Sequence, residues 1–213
     1  MTTTLTPEML LSAYAGGIFP MAEHRGDEDL FWVDPRQRGV MPLDGFHISR
    51  SLAKTVRSER FTITYDVDFE GVVAGCADRD ETWINEMLVT LYNQLHRARM
   101  ARSVEVWDNG VLVGGVFGIT LGGAFFGESM FSHRTDASKV ALAYLVDRLA
   151  VGGFELFDTQ FITPHLSSLG GVEVSRAQYR HMLDTALALD ADFERQTGVS
   201  DAYSLLQRNA QTS

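Results

Sequence analysis

The chain has 213 residues, 45% of them hydrophobic, and a formal net charge of −10, which suits one medium domain with a real core and excludes a disordered chain. The acidic balance argues against a general nucleic-acid binder, because phosphate contacts need Lys and Arg; it leaves room for a local basic patch and suits a cationic second substrate, while solubility alone is the favoured reading of the charge by itself. One cysteine (Cys76), no signal-peptide layout and no run of roughly 20 apolar residues predict a cytoplasmic, disulfide-free protein with no membrane partner.

Thr6-Pro7-Glu8 reads as an N-cap, a proline at the first helical position and an acidic first turn; Gly16-Gly17 stops that helix. Ile18 to Met21, a polar loop (Ala22 to Asp29) and Phe31 to Pro35 follow. A boundary near residue 35 divides an N-terminal appendage (1–35) from the main domain (36–200), and 201–213 forms a tail with little to bury. Ser49 caps a short helix to Ser58, Arg60 to Tyr65 alternates as a strand, and Asp68 caps a brief helix to Cys76. Leu88, Leu91, Tyr92 and Leu95 have the spacing of a helix buried along one face. Ser103 to Trp107, the turn Asp108-Asn109-Gly110 and Val111 to Ile119 predict a hairpin, and Leu121-Gly122-Gly123 turns into a third strand, Ala124 to Phe131. Asp136 is expected to cap a helix that Gly152-Gly153 ends. Phe154 to Thr159 is a further strand and Val172 to Val174 a candidate one. Ser175 and Gln178 form a capping box opening a last helix with Tyr179, Met182, Leu183 and Ala186 inward. Strands, a crossover helix and another strand predict an α/β fold, a mixed sheet flanked by helices on both faces. That order resembles the fold of the GCN5-related N-acetyltransferases.

No metal-ligand spacing occurs, and neither a Gly-x-Ser-x-Gly elbow nor a phosphate loop. Gly114-Gly115-Val116-Phe117-Gly118 falls inside a strand, where glycines permit close backbone approach or a bulge. Two carboxylates stand among large apolar residues, Glu128 in Phe125 to Phe131 and Asp158 in Phe154 to Gln160. Such a charge is paired, outward-facing or functional. Alternation sets Glu128 with Phe126 and Met130, and Asp158 with Gln160. For each, a satisfied structural polar group is an equal alternative.

The motifs then resemble those of the leucyl/phenylalanyl-tRNA–protein transferases, in order over roughly residues 8 to 185. Gly-Ile-Phe-Pro is matched at Gly17 to Pro20, Thr-Trp-Ile at Thr82 to Ile84, and Ser-Val-Glu-Val-Trp at Ser103 to Trp107. Phe-x-Gly-Glu-Ser-Met-Phe-Ser is matched at Phe125 to Ser132 and Asp-Ala-Ser-Lys at Asp136 to Lys139. Asp-x-Gln at Asp158 to Gln160 precedes His165 and Ser168-Leu169-Gly170. The resemblance implies transfer of Leu or Phe from Leu-tRNA or Phe-tRNA to the α-amine of proteins beginning with Lys or Arg, marking them for N-end-rule degradation, with no cofactor. It implies Glu128 and Gln160 holding the acceptor amine, with Asp158 tuning Gln160 or acting as base. Trp83 and Met21 would pack on the terminal adenosine, and Tyr14, Ser129 and Met130 join the substrate-binding set. Val116, Phe125, Leu142, Leu145, Leu149 and Phe157 would line the pocket for the donor side chain, although plain core is the bottom-up reading of most. The sequence departs from the family at its shorter N-terminal part, at Met21 where the family has Trp, and at Arg102 where it has His.

Two rivals remain. An acetyl-CoA-dependent N-acetyltransferase needs a glycine-rich strand-to-helix turn to hold pyrophosphate, whereas Ser132 to Asp136 has no glycine. A non-catalytic RNA-binding module should be basic overall. For tRNA itself, Arg50, Lys54 and Arg57 fall on one face of the short helix, apart from Leu52 and Val56, with Arg60 nearby. An ordinary solvated face is the alternative.

Overall fold

The computed structural model describes residues 5–27 and 29–212, so Met1 to Thr4 of the expected appendage, Glu28 of the polar loop and Ser213 of the tail lie outside the described residues. The Thr6 hydroxyl accepts from the Met9 N–H to start α1 (Pro7–Ala15), and Gly17 leaves it at φ 78°. β1 (Phe19–Met21) pairs antiparallel with β2 (Phe31–Val33). Next come β3 (Gln37–Val40), α2 (Arg50–Arg57), β4 (Thr62–Tyr65), α3 (Phe69–Ala77) and α4 (Glu86–Arg97). The hairpin forms as β5 (Ala101–Asp108) and β6 (Val111–Leu121), with β7 (Ala124–Ser132) antiparallel to β6. A crossover helix, α5 (Ala137–Gly152), brings the chain back as β8 (Leu156–Gln160), parallel to β7. The chain finishes with α6 (Pro164–Ser168), β9 (Val172–Ser175), α7 (Arg176–Leu187) and α8 (Ala202–Thr212). Among the described residues, the main sheet has strand order β4-β5-β6-β7-β8-β3-β9.

Strand alternation gives the sheet two apolar faces. Val116 and Phe125 face a core completed by Leu142, Leu145 and Leu149 of α5, Val56 of α2 and Leu205 of α8. Phe117 and Phe126 face the opposite core, completed by Leu10 of α1, Val72 of α3, Leu91 of α4 and Leu183 of α7. The expected mixed α/β sheet with helices on both faces is what forms.

Three local expectations are corrected. Strand β3, absent from the sequence reading, sits inside the sheet between β8 and β9. Gln37-Arg38-Gly39-Val40 has no apolar alternation because Arg38 is buried by a distant carboxylate rather than by hydrophobic neighbours. The 201–213 tail folds largely as α8, which packs on α5 and α2, buries Ala202 and Leu205, and joins Arg208 to Asp147 at 2.6 Å. Asp136 does not cap α5: its backbone is left-handed at φ 69° with no capping bond, and the Ser132 hydroxyl accepts from the Ser138 N–H instead. Its carboxylate takes bonds from Lys139 and Thr55.

Candidate active site

Two bulges on adjacent strands make the site. Between β6 and β7 the register runs Phe117 to Ser129 and then Gly118 to Gly127, so Glu128 is the extra residue. A bulge re-aims the side chain it carries. Glycine is required beside it, since a Cβ on Gly118 would stand 2.3 Å from the Phe126 carbonyl oxygen. Between β3 and β8 the register shifts in the same way, from Gly39 opposite Gln160 to Val40 opposite Asp158. Gln160 then adopts φ 63°, a conformation that costs a non-glycine residue roughly 1–3 kcal/mol. The β7–β8 pairing reaches Phe126 opposite Asp158, and just beyond it Glu128 and Gln160 meet.

Glu128 is 8% exposed and takes three hydrogen bonds. Its Oε1 accepts from Tyr14 Oη at 2.7 Å and Gln160 Nε2 at 3.2 Å, and its Oε2 accepts from Tyr92 Oη at 2.8 Å. Burial pushes its pKa up to about 7, against the opposing effect of the two tyrosine bonds. A carboxylate offers about four lone-pair positions, so one remains for a further donor.

Asp158 is treated in the opposite way. It is fully buried, and all of about four acceptor positions are filled. Arg38 Nε and the Gln160 N–H donate to Oδ1 at 2.9 and 2.8 Å; Arg38 Nη2 and Tyr179 Oη donate to Oδ2 at 2.6 and 2.7 Å. The Arg38 guanidinium lies between the rings of Phe19 and Tyr179, and its Nη1 donates to the Gly17 carbonyl. The carboxylate therefore holds the Gln160 backbone in its left-handed state. Of the two roles the resemblance allowed Asp158, holding Gln160 is the one that these contacts fit.

Glu128 and Gln160 line an open cleft of about 570 Å³ with Met21, Trp83, Ser129 and Met130. Tyr14 stands behind Glu128 rather than in the cleft. Val116, Phe125, Leu142, Leu145, Leu149 and Phe157 are buried in the core under α5 and are not in the lining of this cleft. Arg50, Lys54 and Arg57 are exposed on α2, whose inner face is Leu52, Ala53 and Val56, while Arg60 pairs with Asp108 at 3.5 Å. Arg102 binds Asp66 and Glu194 away from the cleft. Sequence reasoning missed Arg38 and the exposed ring of Phe161, named His165 only as a motif residue without a role, and read Tyr92 and Tyr179 only as core. The motif residue His165 alone carried a signal. Among the described residues, no group of three or more His, Cys, Asp or Glu is arranged to hold a metal ion.

The family model for leucyl/phenylalanyl-tRNA protein transferase matches residues 40–184, and that for the N-terminal domain of the same proteins matches residues 3–36. The chain belongs to the leucyl/phenylalanyl-tRNA–protein transferase family. It is an enzyme, an aminoacyltransferase. A leucyl/phenylalanyl-tRNA–protein transferase of Cereibacter sphaeroides is 60% identical over 98% of each chain. One from a Ruegeria species is 60% identical over 99% of this chain and all of the relative. A solved structure of L-PGS from Bacillus licheniformis aligns with 76% of this chain and 61% of its own, at 16% identity and a TM-score of 0.43. The motif matches thus identify the family. No helix among the described residues is long and apolar enough to cross a membrane.

Proposed function

We propose that the chain moves Leu or Phe from aminoacyl-tRNA to the N-terminal α-amine of proteins that begin with Lys or Arg, in the cytoplasm, and that Glu128 and Gln160 hold that amine. One observation carries the reading: a buried carboxylate with a pKa near 7 and one free acceptor position lines an open cleft beside a glutamine. An α-amine titrates near 7.7–8.0 in model peptides, close enough for a proton to pass between the two groups.

The donor ester is already activated, so the enzyme has to align an amine and manage protons. The ammonium gives one proton to Glu128 and becomes nucleophilic. Its nitrogen attacks the ester carbonyl, the carbon–oxygen bond to the tRNA ribose breaks, and the ribose oxygen leaves with the second amine proton as the amide forms. Asp158 positions Gln160 through the Gln160 N–H and is itself held by Arg38. Trp83 offers a ring, and Met21 a flexible thioether, for the terminal adenosine. Arg50, Lys54 and Arg57 form an exposed stripe suited to tRNA phosphates. Asp78 in the cleft wall favours a cationic first residue.

The test is transfer of labelled leucine from charged tRNA to peptides differing only in their first residue. Label should enter peptides beginning with Lys or Arg. Equal labelling of all peptides would overturn the acceptor reading, and no labelling would overturn the activity.

A further inference from the structure

We infer that His165 is a donor-binding residue, its Nε2 exchanging a hydrogen bond with the free ribose hydroxyl next to the ester of the bound aminoacyl-nucleoside. The inference rests on the aminoacyl-tRNA reading above. His165, on α6, lines the same cleft as Glu128 and Gln160. Its Nε2 is buried in the cleft wall and finds no hydrogen-bond partner among the described residues, so that a ligand meets it once the ring turns toward the cleft. A polar atom left in that condition is unfavourable, so a group from outside the chain is the natural partner.

The chemistry of the ring selects a hydroxyl. Burial and the neighbouring Lys139 both push His165 toward its neutral form. A neutral imidazole has one donor and one acceptor nitrogen, and a hydroxyl can answer either tautomer at Nε2. A phosphate oxygen could answer only the donor.

The charges around the cleft then place the ribose. Glu128 and Gln160 lie where the amine must meet the ester carbonyl. Lys139, at the start of α5 and paired with Asp136 at 3.1 Å, is close enough to act on His165, and exposed Arg134, 3.9 Å from Asp108, precedes that helix; both stand outside the cleft lining. A polyanionic donor is oriented with its phosphates toward these cations and its ester toward Glu128. The ribose is the only part of the donor between phosphate and ester, and it carries one free hydroxyl vicinal to the acylated oxygen. The contact is one of binding, and no bond is made to the imidazole.

A cycle between residue and substrate tests this in the full chain. Leucyl-adenosine and its deoxy analogue, lacking the vicinal hydroxyl, serve as donors to a peptide beginning with Arg. They are compared in the natural enzyme, His165→Ala and His165→Gln. The natural enzyme should prefer the ribose donor by about tenfold in kcat/KM, the effect of one hydrogen bond. His165→Ala should lose about tenfold on the ribose donor and treat the two donors alike within about twofold, while His165→Gln recovers part of the preference. Full preference retained in His165→Ala would overturn the assignment, as would unchanged activity on the ribose donor. If His165→Ala does not fold, a folded His165→Gln with less preference than the natural enzyme supports the assignment, and one with no change in it overturns it. No transfer by the natural enzyme from either nucleoside while Leu-tRNA still serves as donor would overturn the assignment, and no transfer from Leu-tRNA either would overturn the parent reading.

Discussion

Glu128→Gln should make the protein more stable above neutral pH while impairing transfer. Burial raises the Glu128 pKa from 4.5 to about 7. An acid whose pKa is higher in the folded than in the unfolded chain keeps its proton longer when folded. Stability therefore falls as pH rises through this window, with the cost absent well below 4.5 and complete above 7. The shift corresponds to a ceiling of about 3 kcal/mol at 1.36 kcal/mol per pKa unit. Glutamine is nearly isosteric and uncharged: its oxygen can accept from Tyr14 and Gln160, and its amide can donate to the Tyr92 hydroxyl. Exchanging charge-assisted bonds for neutral ones removes part of the gain, leaving about 1–3 kcal/mol at pH 8. For a chain of this size that is a rise of roughly 3–10 °C in Tm. The assay is thermal unfolding of both proteins at pH 4 and pH 8, with transfer rates at pH 8. A variant equally stabilised at both pH values, or destabilised at pH 8, would refute the view that Glu128 is held as a charge against its burial.

Asp158→Asn and Gln160→Ala should be non-additive in transfer rate, since Asp158 holds the Gln160 N–H; a double-variant loss equal to the product of the single losses would separate them. Asp158→Asn should also lower unfolding free energy in urea by about 3–5 kcal/mol by leaving Arg38 buried without its counter-charge; a loss under 1 kcal/mol would contradict that. Met21→Trp should strengthen binding of aminoacyl-adenosine by about 1–3 kcal/mol in calorimetry if Met21 faces the base, and unchanged affinity would show that it does not. Changing Arg50, Lys54 and Arg57 to Gln should weaken tRNA binding and flatten its logarithmic salt dependence by up to about two units, with transfer from aminoacyl-adenosine nearly unaffected. An unaltered slope would make α2 an ordinary solvated face.

What was legible in the sequence was local. Asn109-Gly110 announced the β5–β6 hairpin because a tight turn needs positive φ, found at both residues. Ser175 and Gln178 announced α7 because a capping box lies within four residues. Glu128 and Asp158 stood out as carboxylates among aromatics, but the groups that set their chemistry lie far along the chain. Tyr14 reaches Glu128 across 114 positions and Arg38 reaches Asp158 across 120. Strand β3 was illegible for the same reason. The resemblance grouped Val116, Phe125 and Phe157, which do share one face of the sheet, yet periodicity cannot distinguish a face that lines a pocket from one that lines a core.

The two carboxylates show how one short stretch of sheet makes different tools from the same functional group. Asp158 meets a guanidinium, a phenol and an amide, and its acceptor positions are filled, so its charge is spent on structure. Glu128 meets two phenols and a carboxamide, none of them charged, and burial leaves its proton loosely balanced near neutrality. Environment rather than residue type separates the roles, as in other paired-carboxylate sites. The N-terminal residues belong to this arrangement: Tyr14 donates to Glu128, and Phe19 and the Gly17 carbonyl hold Arg38. The surroundings of Glu128 and Asp158 therefore depend on the docking of α1 and β1 onto the main sheet. Loosening that docking should act on the Glu128 proton and on Gln160 together, even though Gly17 and Phe19 lie outside the cleft.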